Sequence, residues 1–242
     1  GKYWEEEQFN KRIIDKIKLE NNFSEIVSRL ILKNNFDKNE VYSIKNDLEL
    51  SNPFKSNSDF LNAVKIFDQS IINKEKICII GDYDVDGCVS TSLIVNLLKS
   101  IKTPHFYIIP NRFNDGYGTN LKLIKKIVKN FPKLVIMVDN GSNSVESIDY
   151  LNKHNIKSII LDHHEIYKPY PNCGSLINPK KTNSNNNYDY FCSAVLTYFF
   201  IDIYLKKKKL QINFSENLIL ILTAIISDVM PLRKFNRFIA IK

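Results

Sequence analysis

Ile77-Cys78-Ile79-Ile80-Gly81-Asp82-Tyr83-Asp84-Val85-Asp86-Gly87 is a short apolar run that stops at a glycine and opens into three alternating aspartates. Four apolar residues are too few for an independent helix and read as a buried strand. The pattern recurs downstream. Leu134 to Val138 runs into Asp139-Asn140-Gly141, and Ser158 to Leu161 runs into Asp162-His163-His164. Phe106 to Ile109 is a fourth run of this kind. Between them, Val89 to Ile101, Asn120 to Asn130 and Val145 to His154 carry helical periodicity. Strand, helix and strand at this spacing imply right-handed crossovers, so the sequence predicts an α/β fold: a mainly parallel sheet with helices on both faces. Two further helices are expected near Ser193 to Tyr204 and Glu216 to Ser227, and the Asn- and Ser-rich stretch from Lys180 to Asp189 reads as an exposed loop.

Upstream of Lys76 the pattern is different. Phe23 to Leu32 and Phe60 to Ile72 have apolar residues at helical spacing, and Ser51-Asn52-Pro53-Phe54 interrupts them with turn chemistry. Asp59 is the expected cap of the second helix. We therefore expect a helical N-terminal segment over residues 1–72, packed on a catalytic domain over 73–242.

A chain of 242 residues can bury a substantial core without staples. Its four cysteines show no CxxC pairing, which fits a reducing cytoplasm. No apolar stretch reaches the roughly 20 residues that cross a bilayer, and the N-terminus lacks the apolar segment of a secretory signal, so no membrane partner is expected. The net charge of +8 suits a polyanion, although a chain rich in Lys and Asn carries basic residues everywhere. Lys206 to Lys209 reads as a solvated helix end.

In an open parallel sheet, functional groups gather beyond the carboxyl ends of the strands. The three acidic segments fall there, with Asp84 and Asp86 after the first strand, Asp139 after the third, and Asp162, His163 and His164 after the fourth. Carboxylates so concentrated repel one another unless cations are bound. Carboxylate with imidazole suits Mn²⁺ or Mg²⁺ better than a thiolate zinc centre. Two ions roughly 3.5–4 Å apart would share bridging carboxylates, activate a water and stabilise the attacking and leaving oxygens of a displacement at phosphorus. Each piece alone has a plainer reading. The aspartate string could be a calcium loop, but the glutamate such a loop needs at its twelfth position is Leu93 here. Asp139-Asn140-Gly141 alone would be a turn. Two adjacent histidines out of four in the chain, straight after a buried strand, favour a ligand role.

The order Asp82-Tyr83-Asp84-Val85-Asp86-Gly87, Val138-Asp139-Asn140-Gly141, Asp162-His163-His164 and Ser227-Asp228-Val229-Met230-Pro231-Leu232 resembles the DHH phosphoesterase superfamily, and within it the RecJ single-strand exonuclease family. Asn52-Pro53-Phe54, the segment from Ile109 to Gly118, and Ile177-Asn178-Pro179 extend the resemblance from about Asn52 to Arg237. It implies metal ligands at Asp84, Asp86, Asp139, His163 and Asp228, with Asp82 in or beside the set and His164 there or on the scissile phosphate. Asp228 would not be chosen from its surroundings alone, because an aspartate ending an apolar helix is usually a cap. Arg112 matches a residue that holds a terminal phosphate, Tyr117 a ring on which a base stacks, and Asn140 is grouped with them as a substrate contact. His105 and His154 match no motif and are expected to be structural.

Two departures stand out. Phe191-Cys192-Ser193-Ala194 replaces a glycine-rich helix start, with small residues retained. The chain also stops soon after Asp228, so the second DHHA1-type domain and the oligonucleotide-binding domain of the family are expected to be absent. The resemblance implies a two-metal exodeoxyribonuclease that trims single-stranded DNA 5′→3′ to 5′-mononucleotides in DNA repair and recombination, with single-strand-binding protein and a helicase as partners. Two alternatives stand beside it: a DHH phosphodiesterase for short oligonucleotides or cyclic dinucleotides, and a non-catalytic scaffold.

Overall fold

The computed structural model describes residues 3, 5–46, 52–111, 119–181 and 188–241. The chain forms two compact units, residues 1–49 and 50–242. The first holds α1 (Lys11–Asn21), α2 (Glu25–Lys33) and α3 (Lys38–Ser43). Each starts at a polar cap: Asn10 accepts from the Arg12 amide, Ser24 from the Val27 amide, and Asp37 forms a reciprocal box with Glu40.

The second unit begins with α4 (Ser58–Ile72) and alternates through β1 (Ile77–Ile80), α5 (Val85–Ser100), β2 (His105–Ile108), α6 (Leu121–Val128), β3 (Leu134–Val138), α7 (Val145–Lys153) and β4 (Lys157–Leu161). Then come β5 (Ser175–Ile177), α8 (Ser193–Lys208), α9 (Leu218–Ser227) and α10 (Lys234–Ile241). Two expectations shift here. Helix α4 packs against α8 and β5, so the division between units falls at 49/50 and not at 72. Its cap is Asn57, whose Oδ1 accepts from the Asp59 and Phe60 amides at 3.0 and 3.1 Å. Asp59 lies inside the first turn instead and pairs with Lys181 at 2.9 Å.

All four strand pairings are parallel, in the order β2-β1-β3-β4-β5. The order reverses between β1 and β3, which opens a crevice at their carboxyl ends. Alternate residues of each strand feed two cores. Ile77, Ile79, Leu134, Ile136, Val138, Ile159 and Leu161 face α4, α5, α8, α9 and α10, while Cys78, Ile80, Val135, Met137 and Ile160 face α6 and α7. Burial on both faces explains why these strands read as continuous apolar runs. Asn52 ties the start of the unit to α8, donating to the Phe199 carbonyl and to Asp202 at 3.2 and 2.7 Å. Lys206 and Lys208 pair with Asp202 and Asp68 at 2.7 and 3.0 Å, as a structural helix end should. His105 and His154 bond nearby carbonyls, of Thr103 and Tyr150.

Candidate metal centre

The β1–α5 junction sets the first carboxylates. Asp84 caps α5, its Oδ1 accepting from the Gly87 amide at 2.8 Å, so the helix starts inside the aspartate string and Asp86 falls in its first turn. This start presses the helix onto the preceding loop. A Cβ on Gly87 would sit 2.5–2.7 Å from the backbone of Asp82, so only glycine fits. Asp86 is fully buried, and both its oxygens are held by the start of α8: Oδ2 accepts from the Ser193 amide at 2.7 Å and Oδ1 from the Ala194 amide at 2.8 Å. The positive end of that helix offsets part of the cost of burying a carboxylate.

Asp139 follows β3 with φ +62, a left-handed conformation that aspartate tolerates better than most residues, and is also fully buried. Ser193 Oγ donates to its Oδ1 at 3.1 Å. Just after β4, Asp162 is an organiser. Its Oδ1 accepts from the His163 amide (2.8 Å), the His164 amide (3.1 Å) and His164 Nδ1 (2.8 Å), and its Oδ2 from the Ser142 amide (3.0 Å). Asn178 locks the same two loops, donating to Ser142 Oγ at 2.8 Å and to the His164 carbonyl at 3.0 Å.

His163 is the hub. Its Nε2 lies 3.2 Å from Asp228, 3.3 Å from Asp139 and 3.6 Å from Asp86. Asp228 reaches it from the C-cap of α9. Three sets of donor atoms each gather within 4.8 Å: Asp82 with Asp84 and Asp139, Asp139 with His163 and His164, and Asp86 with His163 and Asp228. Asp139 and His163 each belong to two sets, so the three are linked into one elongated cluster.

The protonation preferences follow from burial and from the crowding of carboxylates around His163. Burial, then the Asp86 and Asp84 charges, pushes Asp139 up to about 9 despite the opposing His163. Burial also raises Asp86 and Asp82. Burial alone would lower His163, but the surrounding Asp139, Asp228 and Asp86 carboxylates outweigh it and raise it to about 10. Asp162 shows the opposite balance: burial would raise it, yet the His164 and Ser142 donors bring it down to about 2. His164 is raised, chiefly by its bond to Asp162.

Asp139 Oδ2 and His163 Nε2 are buried and make no hydrogen bond of good geometry, although carboxylates crowd the imidazole. Buried polar atoms are rarely left in this state, and a divalent cation bound by oxygen and imidazole would satisfy both. No cysteine belongs to any of the three donor sets among the described residues. The residues present therefore fit a hard divalent metal.

All the expected metal ligands, Asp82, Asp84, Asp86, Asp139, His163 and Asp228, come together with His164 in this crevice. Asn140 does not contribute in the expected way. Its amide donates to the Ile80 and Val138 carbonyls at 3.2 and 2.8 Å and accepts from Thr119 Oγ1, so it braces the ends of β1 and β3 where a substrate contact was expected. Arg112 and Tyr117 lie outside the described residues. Sequence reasoning missed the bracing by Asp162, Asn178 and the Ser193 and Ala194 amides. The Asn178-Pro179 motif and the small residues at the start of α8 were the available signals.

Residues 76–225 match the DHH family, N-terminal domain. The single-stranded-DNA-specific exonuclease RecJ of Haemophilus influenzae is 28% identical over 212 residues, covering 81% of this chain and 37% of that protein. RecJ of Bacillus subtilis is 28% identical over 89% of this chain and 27% of its own length. The chain thus spans about a third of these relatives. RecJ of Thermus thermophilus in complex with Mn²⁺ superposes with a TM-score of 0.76 at 18% identity, over 94% of this chain and 32% of that one, which extends the likeness to the fold. With the family matched from β1 into α9 and its acidic motifs meeting in one crevice, the chain belongs to the DHH family.

Proposed function

We propose that this chain carries the catalytic site of a two-metal nuclease that removes 5′-mononucleotides from the 5′ end of single-stranded DNA. The observation that carries the reading is the linked cluster of donor sets sharing Asp139 and His163. The names of the RecJ relatives supply the substrate class.

In this reading Asp82, Asp84, Asp86, Asp139, His163 and Asp228 hold two Mn²⁺ or Mg²⁺ ions. The Thermus thermophilus neighbour was solved with Mn²⁺. When bound, the metals supply Lewis acidity to the phosphate and lower the pKa of a water. The protein does the rest. The amides of Ser193 and Ala194 fix Asp86, and Ser193 Oγ fixes one oxygen of Asp139, while the other is buried without a hydrogen-bond partner. Asp162 holds His164 Nδ1, and by raising the pKa of the ring favours the imidazolium form that donates to a phosphate oxygen. Arg112 is assigned the 5′ phosphate and Tyr117 the adjacent base on the strength of their motif. A role in DNA repair and recombination, with single-strand-binding protein and a helicase as partners, completes the reading.

The test is single-stranded DNA labelled at either end, incubated with the protein and Mn²⁺ beside an Asp84→Ala variant. Mononucleotides released from the 5′ end and lost in the variant are expected. Cleavage of a dinucleotide or cyclic dinucleotide without cleavage of the longer strand would replace the substrate assignment. Equal cleavage by the variant would remove the metal mechanism.

A further inference from the structure

The edge of the sheet opposite the crevice carries a second concentration of charge, of the other sign. Four helix-to-strand connections reach it, α4–β1, α5–β2, α6–β3 and α7–β4, and each contains one residue in the left-handed region: Lys74 (φ +53), Lys102 (+53), Phe131 (+55) and Asn155 (+54). Lys76 and Lys133 immediately precede β1 and β3, and Lys157 is the first residue of β4. The Lys133 amide donates to the Lys76 carbonyl at 2.9 Å, and the Lys157 amide to the Lys133 carbonyl at 3.0 Å, which makes the three lysines backbone neighbours across the edge. Lys99, Lys129 and Lys153 close the helices above them.

Stability accounts for only part of this. Lysine in the last turn of a helix complements the helix dipole. Lys76 and Lys133 stand in step just before β1 and β3, a like-charge pair that costs stability, while Lys157 lies opposite Leu134; among the described residues Lys129, Lys133 and Lys157 have no ion-pair partner. Lys76 instead reaches the Asn130 carbonyl at 3.1 Å, beside Phe131.

Phe131 is the decisive residue. It is 81% exposed and left-handed, in a turn where glycine or asparagine is the ordinary choice. Asn155 fills the matching turn one crossover later without strain. A bulky residue at positive φ and an aromatic ring left in water both cost stability, and no core residue gains from either. An exposed ring flanked in sequence by Lys129 and Lys133, neither with an ion-pair partner, has the chemistry of a platform for single-stranded nucleic acid, on which bases stack while ammonium groups neutralise the backbone.

We propose that the amino edge of the sheet is a second binding site for single-stranded nucleic acid, with Phe131 as its stacking ring and Lys76, Lys129, Lys133 and Lys157 as its phosphate contacts. Strand β3 is five residues long, which sets this edge about 17 Å from the metal centre through the sheet. The inference takes its substrate class from the proposed nuclease function, but binding here needs neither metal nor cleavage.

The experiment is fluorescence anisotropy on the full chain in EDTA, with an oligothymidylate of about 20 nucleotides and with inorganic polyphosphate as a probe that lacks bases. Two variants are compared with the parent. Phe131→Gly removes the ring and relieves the left-handed strain, so it should fold at least as well as the parent. It should weaken oligothymidylate binding about tenfold and leave polyphosphate binding unchanged. The double variant Lys129→Ala/Lys133→Ala should flatten the slope of log affinity against log salt by about 1.4 for the oligonucleotide. Unchanged oligothymidylate affinity in Phe131→Gly would overturn the proposal, as would equal weakening for both probes, which would show that the ring only props its loop. Failure to bind oligothymidylate at all would also overturn it, in favour of an acidic protein partner. Hydrolysis of a dinucleotide by the same variant with Mn²⁺ tests the nuclease reading separately, because that substrate is too short to reach both edges.

Discussion

At the carboxyl edge of the sheet, Asp86 and Asp139 are fully buried, braced by backbone amides and a serine, and crowded against His163; at the amino edge, Lys133 and Lys157 stand in solvent, as does the ring of Phe131, which is 81% exposed. The two edges belong to the same strands and differ in how charge is managed. Buried carboxylates need donors and counter-ions to exist at all, so the structure around them is dense and specific. Exposed lysines need nothing from the fold, so their arrangement is informative only where it costs something. The contrast teaches which features to trust at each edge: geometry at the first, uncompensated cost at the second.

The largest effect should come from the buried edge. Asp139→Asn removes a charge shared by two donor sets, and with metal present the turnover of single-stranded DNA should fall on the order of 10³-fold. The metal-free protein should keep its melting temperature or gain, because the carboxyl it loses is buried, strained toward its protonated form and lacks a partner on one oxygen. A variant that is both inactive and markedly less stable in EDTA would mean that Asp139 is a structural group. Gly87→Ala should act the other way: its Cβ meets the Asp82 backbone, so about 2–3 kcal/mol of stability should be lost in denaturant titration, and activity with it.

A pH effect sharpens the same edge. Asp139 at about 9 and His163 at about 10 both lie above their unfolded values, so between those values the folded, metal-free protein holds more protons than the unfolded chain. Their contribution to stability is therefore greatest at low pH and declines as pH rises through about 4 to 10. Metal binding must displace these protons, so affinity rises with pH, by about tenfold per unit for each proton released. The increase in melting temperature on adding Mn²⁺ should grow between about pH 6 and about pH 8. A shift that is flat or shrinks over that range would contradict the placement of His163 among the ligands. Asn178→Ala, which frees the two loops that carry Ser142 and His164, should lower turnover about 10–100-fold, with a smaller loss of metal affinity.

Much of this was legible in the sequence, for physical reasons. Ile77–Ile80 and Leu134–Val138 announce themselves because a parallel strand buried on both faces has no polar alternation to blur it. Ser175–Ile177 is a three-residue edge strand and leaves too little periodicity to find, and α10 lies beyond the last motif. The start of α5 hides inside the aspartates because Asp84 is at once a cap and a member of the metal cluster. Asp84, Asp86, Asp139, Asp162, His163 and His164 could be picked from residue type and position at strand ends, whereas Asp82 and Asp228, the latter carried by α9, were placed among the ligands only through resemblance. The bracing was illegible. Ser193 and Ala194 act on Asp86 through backbone amides, which any residue owns, and whether Asn140 and Asn178 face the crevice or the strand ends depends on hydrogen bonds that no spacing records.

The smallest effect tests the exposed edge, through its one internal control. Phe131 and Asn155 occupy matching left-handed turns after α6 and α7, so each can be placed in the other's role. Asparagine bonds locally and tolerates positive φ, whereas phenylalanine does neither, and exchanging them should move stability in opposite directions. Phe131→Asn should raise stability by about 0.5–1 kcal/mol, and Asn155→Phe should lower it by a similar amount, both read from urea titration. If Phe131→Asn instead destabilises the protein, the ring has packing value in the fold, and its exposure no longer requires a ligand to explain it. If the gain appears, the chain keeps at Phe131 a residue that weakens its own fold, in the middle of a lysine cluster, and stability cannot be the reason it is there.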